Sequence, residues 1–209
     1  MEIDSCPAIA PFLGFMGVAS SIIFANVGAA HGTYRAGVAI MRSGVKSPEL
    51  IWRNLIPIVM AGVNGIYGLI TSIILVGAIR PPSNNGNYYQ YSMYTGAAHL
   101  AAGLCCGLSC LGSGMAIGIA GDAAVSACGM WDVQQKTSNH STVGKTKKSR
   151  GIGENEVFVV PMGKKSKSGD GDKLFVSMVL IQVFAGNVAL FGLIASIMLS
   201  QQVFYCGDE

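Results

Sequence analysis

An all-α membrane protein of four transmembrane helices, made by duplicating a helical hairpin, is the fold the sequence predicts. Three observations predict it. Of the 209 residues 51% are hydrophobic and only 12% charged, and 28 are glycine, too apolar and too glycine-rich for a water-soluble domain of this length. The eleven acids (Glu2, Asp4, Glu49, Asp122, Asp132, Glu154, Glu156, Asp170, Asp172, Asp208 and Glu209) leave long apolar stretches with no carboxylate between them. Short runs from the first half also recur in the second.

The four spans are expected at residues 11–34, 55–79, 92–121 and 174–200, each able to cross a hydrocarbon core of ~30 Å, which needs about 20 apolar residues. The first follows MEIDSCPAIAPF, which has two acids and no base and so reads as part of a retained span, unlike a secretory leader. The chain divides accordingly. Residues 1–82 form the first transmembrane hairpin, and 83–130 the third helix with its lumenal lead-in. A basic, flexible insertion occupies 131–173, and 174–209 hold the fourth helix and a lumenal tail.

Charge sets the orientation, because cytoplasmic loops collect lysine and arginine. Arg35, Arg42, Lys46 and Arg53 surround the first connection, and nine more bases from Lys136 to Lys173 lie in the third, so 13 of the 14 bases share one side and only Arg80 stands apart. The first and third connections are therefore expected in the cytoplasm and both termini in the lumen. The net charge of +3 then reflects topology and gives no reason to expect nucleic-acid binding.

The repeat is visible in Gly28-Ala-Ala-His-Gly32 against Gly114-Met-Ala-Ile-Gly118, 86 residues on, and in Ile66-Tyr-Gly-Leu-Ile70 against Leu190-Phe-Gly-Leu-Ile194, 124 residues on. The 38-residue difference falls in the third connection, whose SNHSTVGKTKKSRG and GKKSKSGDGDK have the polar, glycine- and serine-rich composition of flexible chain. Between them runs 156–161, EVFVVP, a brief apolar stretch that weakly suggests a strand or docking peptide. In the third span Cys106, Cys110, Gly114 and Gly118 recur one turn apart, with Gly103 and Gly107 beside them. In the first span Gly17, Ser21, Ala25 and Ala29 do the same, with Gly28 and Gly32 adjacent. Such stripes let backbones approach closely where lipid supplies no hydrophobic drive, so these two spans are expected to form a tight inner layer.

The segments PFLGFMGVASSIIFANVGAAHGTYRAGVAI, PELIWRNLIPIVMAGVNGIYGLI, AAGLCCGLSCLGSGMAIGIAGDAAV and LFVSMVLIQVFAGNVALFGLIASIMLS resemble, in order, the four helices of V-type ATPase proteolipids. The likeness covers about three-quarters of the chain and departs from the family in the long basic insertion. It implies a closed ring of four-helix subunits in which Gly28, Gly32, Gly103, Gly107, Gly114 and Gly118 serve ring packing. Its implied partners are other proteolipids, a static membrane subunit, central-stalk subunits and lipid, and it implies a vacuolar or other acidic-organelle membrane. In the commonest proteolipid type one glutamate of the fourth helix carries the proton, within a pattern like F-A-E-V-L-G-L-Y-G-L. The matching stretch here is Phe184-Ala-Gly-Asn-Val-Ala-Leu-Phe-Gly-Leu193, with Gly186 in the glutamate's place. A second type, c-double-prime, keeps its glutamate in the first half, and there Gly62 occupies the matching position.

A proton carrier needs a group that ionises at accessible pH, which a carboxylate is and a glycine or amide is not. With both positions empty, the chain is expected to join the ring and contribute to ATP-driven proton translocation without holding the proton itself. A structural spacer, or a four-span pore or scaffold outside any ATPase, are the competing readings. Asn64, Gln182 and Asn187 are possible polar partners near the empty positions, for interhelical hydrogen bonds or for a neighbour's carboxylate. His31 and His99 fit packing or interfacial roles better than a proton relay. Cys105, Cys106 and Cys110 read as small packing residues, with no C-x-x-C metal spacing and no cofactor expected; Cys6 and Cys206 share the lumenal side, where a disulfide is an option. The orientation has a direct test. A protease confined to the cytoplasm should cut within residues 137–171 and spare 83–89, and the opposite pattern reverses the topology.

Overall fold

A computed structural model describes residues 9–45, 48, 51–79, 91–140 and 170–203. Its long elements are all helical: α1 (Ala10–Gly44), α2 (Ile56–Ala78), α3 (Met93–His140) and α4 (Asp170–Ser200), with a 3-10 turn at Arg53–Leu55 leading into α2. All four helices are long and apolar enough to cross a membrane. Pro11 and Pro57 fall in the first turns of α1 and α2, where a missing N–H breaks no bond. Ser92 caps α3, its Oγ accepting the Thr95 amide at 3.2 Å, as hydroxyl residues do at helix starts.

Helix lengths differ in a way the apolar pattern did not suggest. The 23 residues of α2 span ~34 Å, close to a hydrocarbon thickness. The 35 residues of α1 and 48 of α3 run to ~52 and ~72 Å. Ile79, just past the end of α2, lies beside Gly14, and Pro57 at its start lies beside Gly121, so the excess in α1 and α3 is at their C-terminal ends. The spans expected to close at 34 and 121 thus continue as helix to Gly44 and His140. Hydropathy marks where lipid stops, whereas a helix stops at a breaker, and no proline occurs in 35–44 or 122–140. Packing supports the extension: Ser43 Oγ donates to the Val125 carbonyl at 3.3 Å, and Ala39, Ile40, Val125 and Met178 form one buried cluster. Residues 131–140, read from sequence as the start of the insertion, belong to α3, and α4 begins at Asp170. The rest of the insertion with its 156–161 run, the 83–89 connection, Cys6 and Cys206 lie outside the described residues.

The bundle has two layers. α1 and α3 form one and make the most extensive contact; α2 lies on α1, α4 on α3, and the second layer closes where α2 meets α4. Both small-residue stripes turn to this first-layer contact. A Cβ on Gly103 would collide with the Gly17 backbone, and one on Gly114 with the Gly28 backbone. Gly28 in turn would place a Cβ 2.6 Å from Leu111 Cα, and Gly118 one 3.0 Å from Gly32 Cα. The partners Gly17–Gly103, Gly28–Gly114 and Gly32–Gly118 are repeat-equivalents 86 residues apart, so α1 and α3 run parallel and in register. The outer helices repeat the device once each, Gly68 seated on Ser21 and Ala25 of α1, Gly192 on Cys105 and Ser109 of α3.

Because backbone meets backbone there, no side-chain rotation can relieve an added group. Gly114→Leu should destabilise the detergent-solubilised chain by at least the roughly 1–3 kcal/mol typical of overpacking and block ring assembly. Gly112→Leu, with nothing within 4 Å of its Cβ position, should leave thermal unfolding of the isolated chain unchanged. Equal melting of the two variants would remove the glycine contact as the organising feature.

Candidate functional site

Polar side chains are costly at hydrocarbon depth unless paired, so the polar groups inside the bundle are the first place to look for chemistry. Asn64 of α2 is 1% exposed and Gln182 of α4 fully buried. Asn64 Nδ2 donates to Ser113 Oγ at 3.1 Å, and Ser113 Oγ donates to the Ala185 carbonyl at 2.7 Å. This chain of two bonds ties α2, α3 and α4 together. One turn toward the start of α4, Gln182 Nε2 donates to the Ile117 carbonyl at 3.3 Å, while its Oε1 is buried without a partner.

The two glycines of interest flank this polar chain. Gly62 lies two residues before Asn64 and Gly186 directly follows Ala185. Nothing approaches within 4 Å of a Cβ built on Gly62, and at Gly186 the nearest group is Met60 Cε at 3.8 Å. A side chain could therefore grow from either backbone; sterics do not explain the glycines. The structure thus brings Gly62, Gly186, Asn64 and Gln182 to one region, but with Gln182 turned inward onto α3. Asn187 is exposed on α4, away from that hydrogen-bonded chain.

Ser113 was missed from sequence. The signal was faint: a hydroxyl beside the glycine stripe, which acquires meaning only once the register of α2 against α3 is known. The chain Asn64–Ser113–Ala185 can orient and rigidify but cannot ionise, since it comprises an amide, a hydroxyl and a carbonyl. Asp122, the one acid whose side chain is described, is half-buried and follows Gly121, which abuts Pro57 in the first turn of α2. It thus stands at the rim of the slab that α2 defines.

The histidines are not neighbours. His99 is fully buried, its Nδ1 hydrogen-bonded to Tyr91 Oη at 2.5 Å near Gly14. His31 lies beside Gly118, and its Nδ1 is buried without a partner. Since His99 abuts Gly17, fourteen residues of α1 separate their levels, ~21 Å along the axis, too far for direct proton exchange. Cys106 accepts a weak bond from Thr71 Oγ1 at 3.2 Å and stands 3.9 Å from the Cys110 sulfur; both pack with Ala25 and Ala189. Among the described residues no group of three or more His, Cys, Asp or Glu converges.

The family model for the ATP synthase C subunit matches residues 16–75 and 100–135, one segment in each repeat. The chain is 41% identical to the V-type proton ATPase 16 kDa proteolipid subunit of Chrysotila carterae, over 97% of this chain and 98% of that one. It is 38% identical to the c 2 form of the V-type proton ATPase 16 kDa proteolipid from Caenorhabditis briggsae, over 95% and 96%. With the c'-type V-type proton ATPase subunit of Eremothecium gossypii it shares 34% identity over 94% and 92%.

If the polar chain is structural, its strength should be that of an ordinary buried membrane hydrogen bond. A double-mutant cycle of Asn64→Leu and Ser113→Ala should give a coupling of about 0.6 kcal/mol and no more than ~1.7, read from unfolding in detergent. Zero coupling would dissolve the Asn64–Ser113 link.

Proposed function

The chain belongs to the V-type proton ATPase proteolipid family, and on that premise we propose that it takes its place in the rotor ring without carrying a proton of its own. It is an integral, multi-pass subunit of the membrane sector, contributing to ATP-driven proton translocation, and not a catalytic enzyme by itself. The relatives do not favour a spacer or a pore outside any ATPase.

The observation that carries the proposal is the pair Gly62 and Gly186, which lie within the candidate membrane spans of α2 and α4, Gly62 in open space and Gly186 in ordinary contact with Met60 alone, with no carboxylate on the described side chains nearer than the rim residue Asp122. Of the polar side chains near them, Asn64, Ser113 and Gln182 make interhelical bonds, and Asn187 is exposed beside Gly186 but is an amide that does not ionise. Rotation past a static membrane subunit would then bring up a face with no ionisable group, with protons held by companion proteolipids. The described bases Arg35, Arg42, Arg53 and Lys173 gather at one end of the bundle, near Gly118, in the last turn of α1, and at the starts of α2 and α4. That clustering supports a cytoplasmic placement of this end, toward the central stalk, in a vacuolar or other acidic-organelle membrane.

Carbodiimide labelling tests the reading, because the reagent modifies protonated carboxyls in the membrane. The unaltered subunit should stay unlabelled within its helices while proteolipids that bear the glutamate are labelled. Gly186→Glu or Gly62→Glu should each create a new labelled site. Label on any span of the unaltered chain, or proton pumping by a ring made solely of it, would overturn the non-carrier role.

A further inference from the structure

Duplication makes α2 and α4 equivalent, and one of the resulting equivalences is left open. Moving 124 residues along turns Met60, Ala61, Gly62, Tyr67 and Leu69 of α2 into Phe184, Ala185, Gly186, Phe191 and Leu193 of α4. Within the subunit the two helices meet along a single seam. Met60 covers the Gly186 position, its Cε 3.8 Å from a Cβ built there, and Tyr67 and Leu193 pack on the same cluster of Ala25, Cys106, Cys110 and Ala189. The seam therefore joins the Met60–Tyr67 row of α2 to the Gly186–Leu193 row of α4, each row stepping seven residues along one helix face.

The counterpart rows are bare. Phe184 is 65% exposed, Phe191 67% and Leu69 53%, and Gly62 has nothing within 4 Å. The chain thus encodes both halves of the seam twice and closes it once.

We propose that a second copy closes the other: Phe184 of one copy fills the notch over Gly62 of the next, with Phe191 beside Leu69, as Met60 covers Gly186 inside each copy. The occupant is a second copy because knob and notch are both written in this chain, as repeats of a contact it already makes. Each copy offers the aromatic row on α4 and receives one on α2, a head-to-tail contact of the kind that propagates into closed rings. This rests on the ring reading and adds which side chains meet.

The test uses the full chain in its own membrane. With Gly62→Cys and Phe184→Cys in one chain, mild oxidation should produce a disulfide-linked ladder of copies, which neither single variant gives. Gly62→Leu should lose most of the assembled ring while the subunit itself stays folded, and adding Phe184→Ala should restore assembly by returning the volume. Rings that tolerate Gly62→Leu, or oxidised Gly62→Cys bonded to a different protein, overturn this contact while leaving ring membership standing. A chain recovered from the membrane only as a monomer overturns ring membership and the contact with it.

Discussion

Everything in this subunit is arranged around the direct meeting of two backbones. Between α1 and α3 the contact runs through Gly17 and Gly103, Gly28 and Gly114, Gly32 and Gly118, where the backbones themselves come together. Lipid offers no hydrophobic reward for bringing helices together, so the attraction must come from close van der Waals contact, which glycine maximises. Large apolar residues are displaced to the outside by the same logic. Phe12, Phe15, Ile23 and Ile73 are all more than half exposed, which would be perverse in water and is ordinary where the surroundings are hydrocarbon.

Hydrogen bonds then do locally what packing cannot specify alone. The chain from Asn64 through Ser113 to the Ala185 carbonyl links three helices at one level, and Ser21 Oγ donating to the Gly68 carbonyl at 3.2 Å pins α2 onto α1. Each such bond is weak in a membrane, because the separated helices would find other partners. Their value is in register. A slide of one turn would strand several buried polar atoms at once, which the glycine contact by itself, being repetitive, would not prevent.

Much of this was legible in the sequence, for reasons that can be named. The four spans follow from length and apolarity, and the pairing of α1 with α3 from small residues at one-turn spacing in both repeats. The extents of α1 and α3 were not legible, because residues 35–44 and 122–140 are polar enough to look like connection while containing nothing that stops a helix. Gln182 was legible as polar and near Gly186 but not as turned onto Ile117, a matter of helix rotation that a sequence with a weak amphipathic signal does not convey. Ser113 needed the register between helices, which no local pattern encodes. What the open space at Gly62 and the ordinary contact distance at Gly186 add is the exclusion of a Cβ clash as the reason for glycine there.

The separation of the first-layer partners along the chain also has a consequence in time. Gly17 meets Gly103 and Gly28 meets Gly114, yet a ribosome working at about 5–20 residues per second takes roughly 4–17 s to pass from one partner to the other. During that interval α1 and α2 can already hold each other through Ser21 and Gly68, while the glycine face of α1 has only lipid against it. The nascent hairpin is therefore a half-built object with its most adhesive surface uncovered, and another small-residue helix of the same membrane could occupy that surface before α3 emerges. Faithful biosynthesis depends on α3 winning that competition, a kinetic requirement that the finished, tightly joined pair conceals.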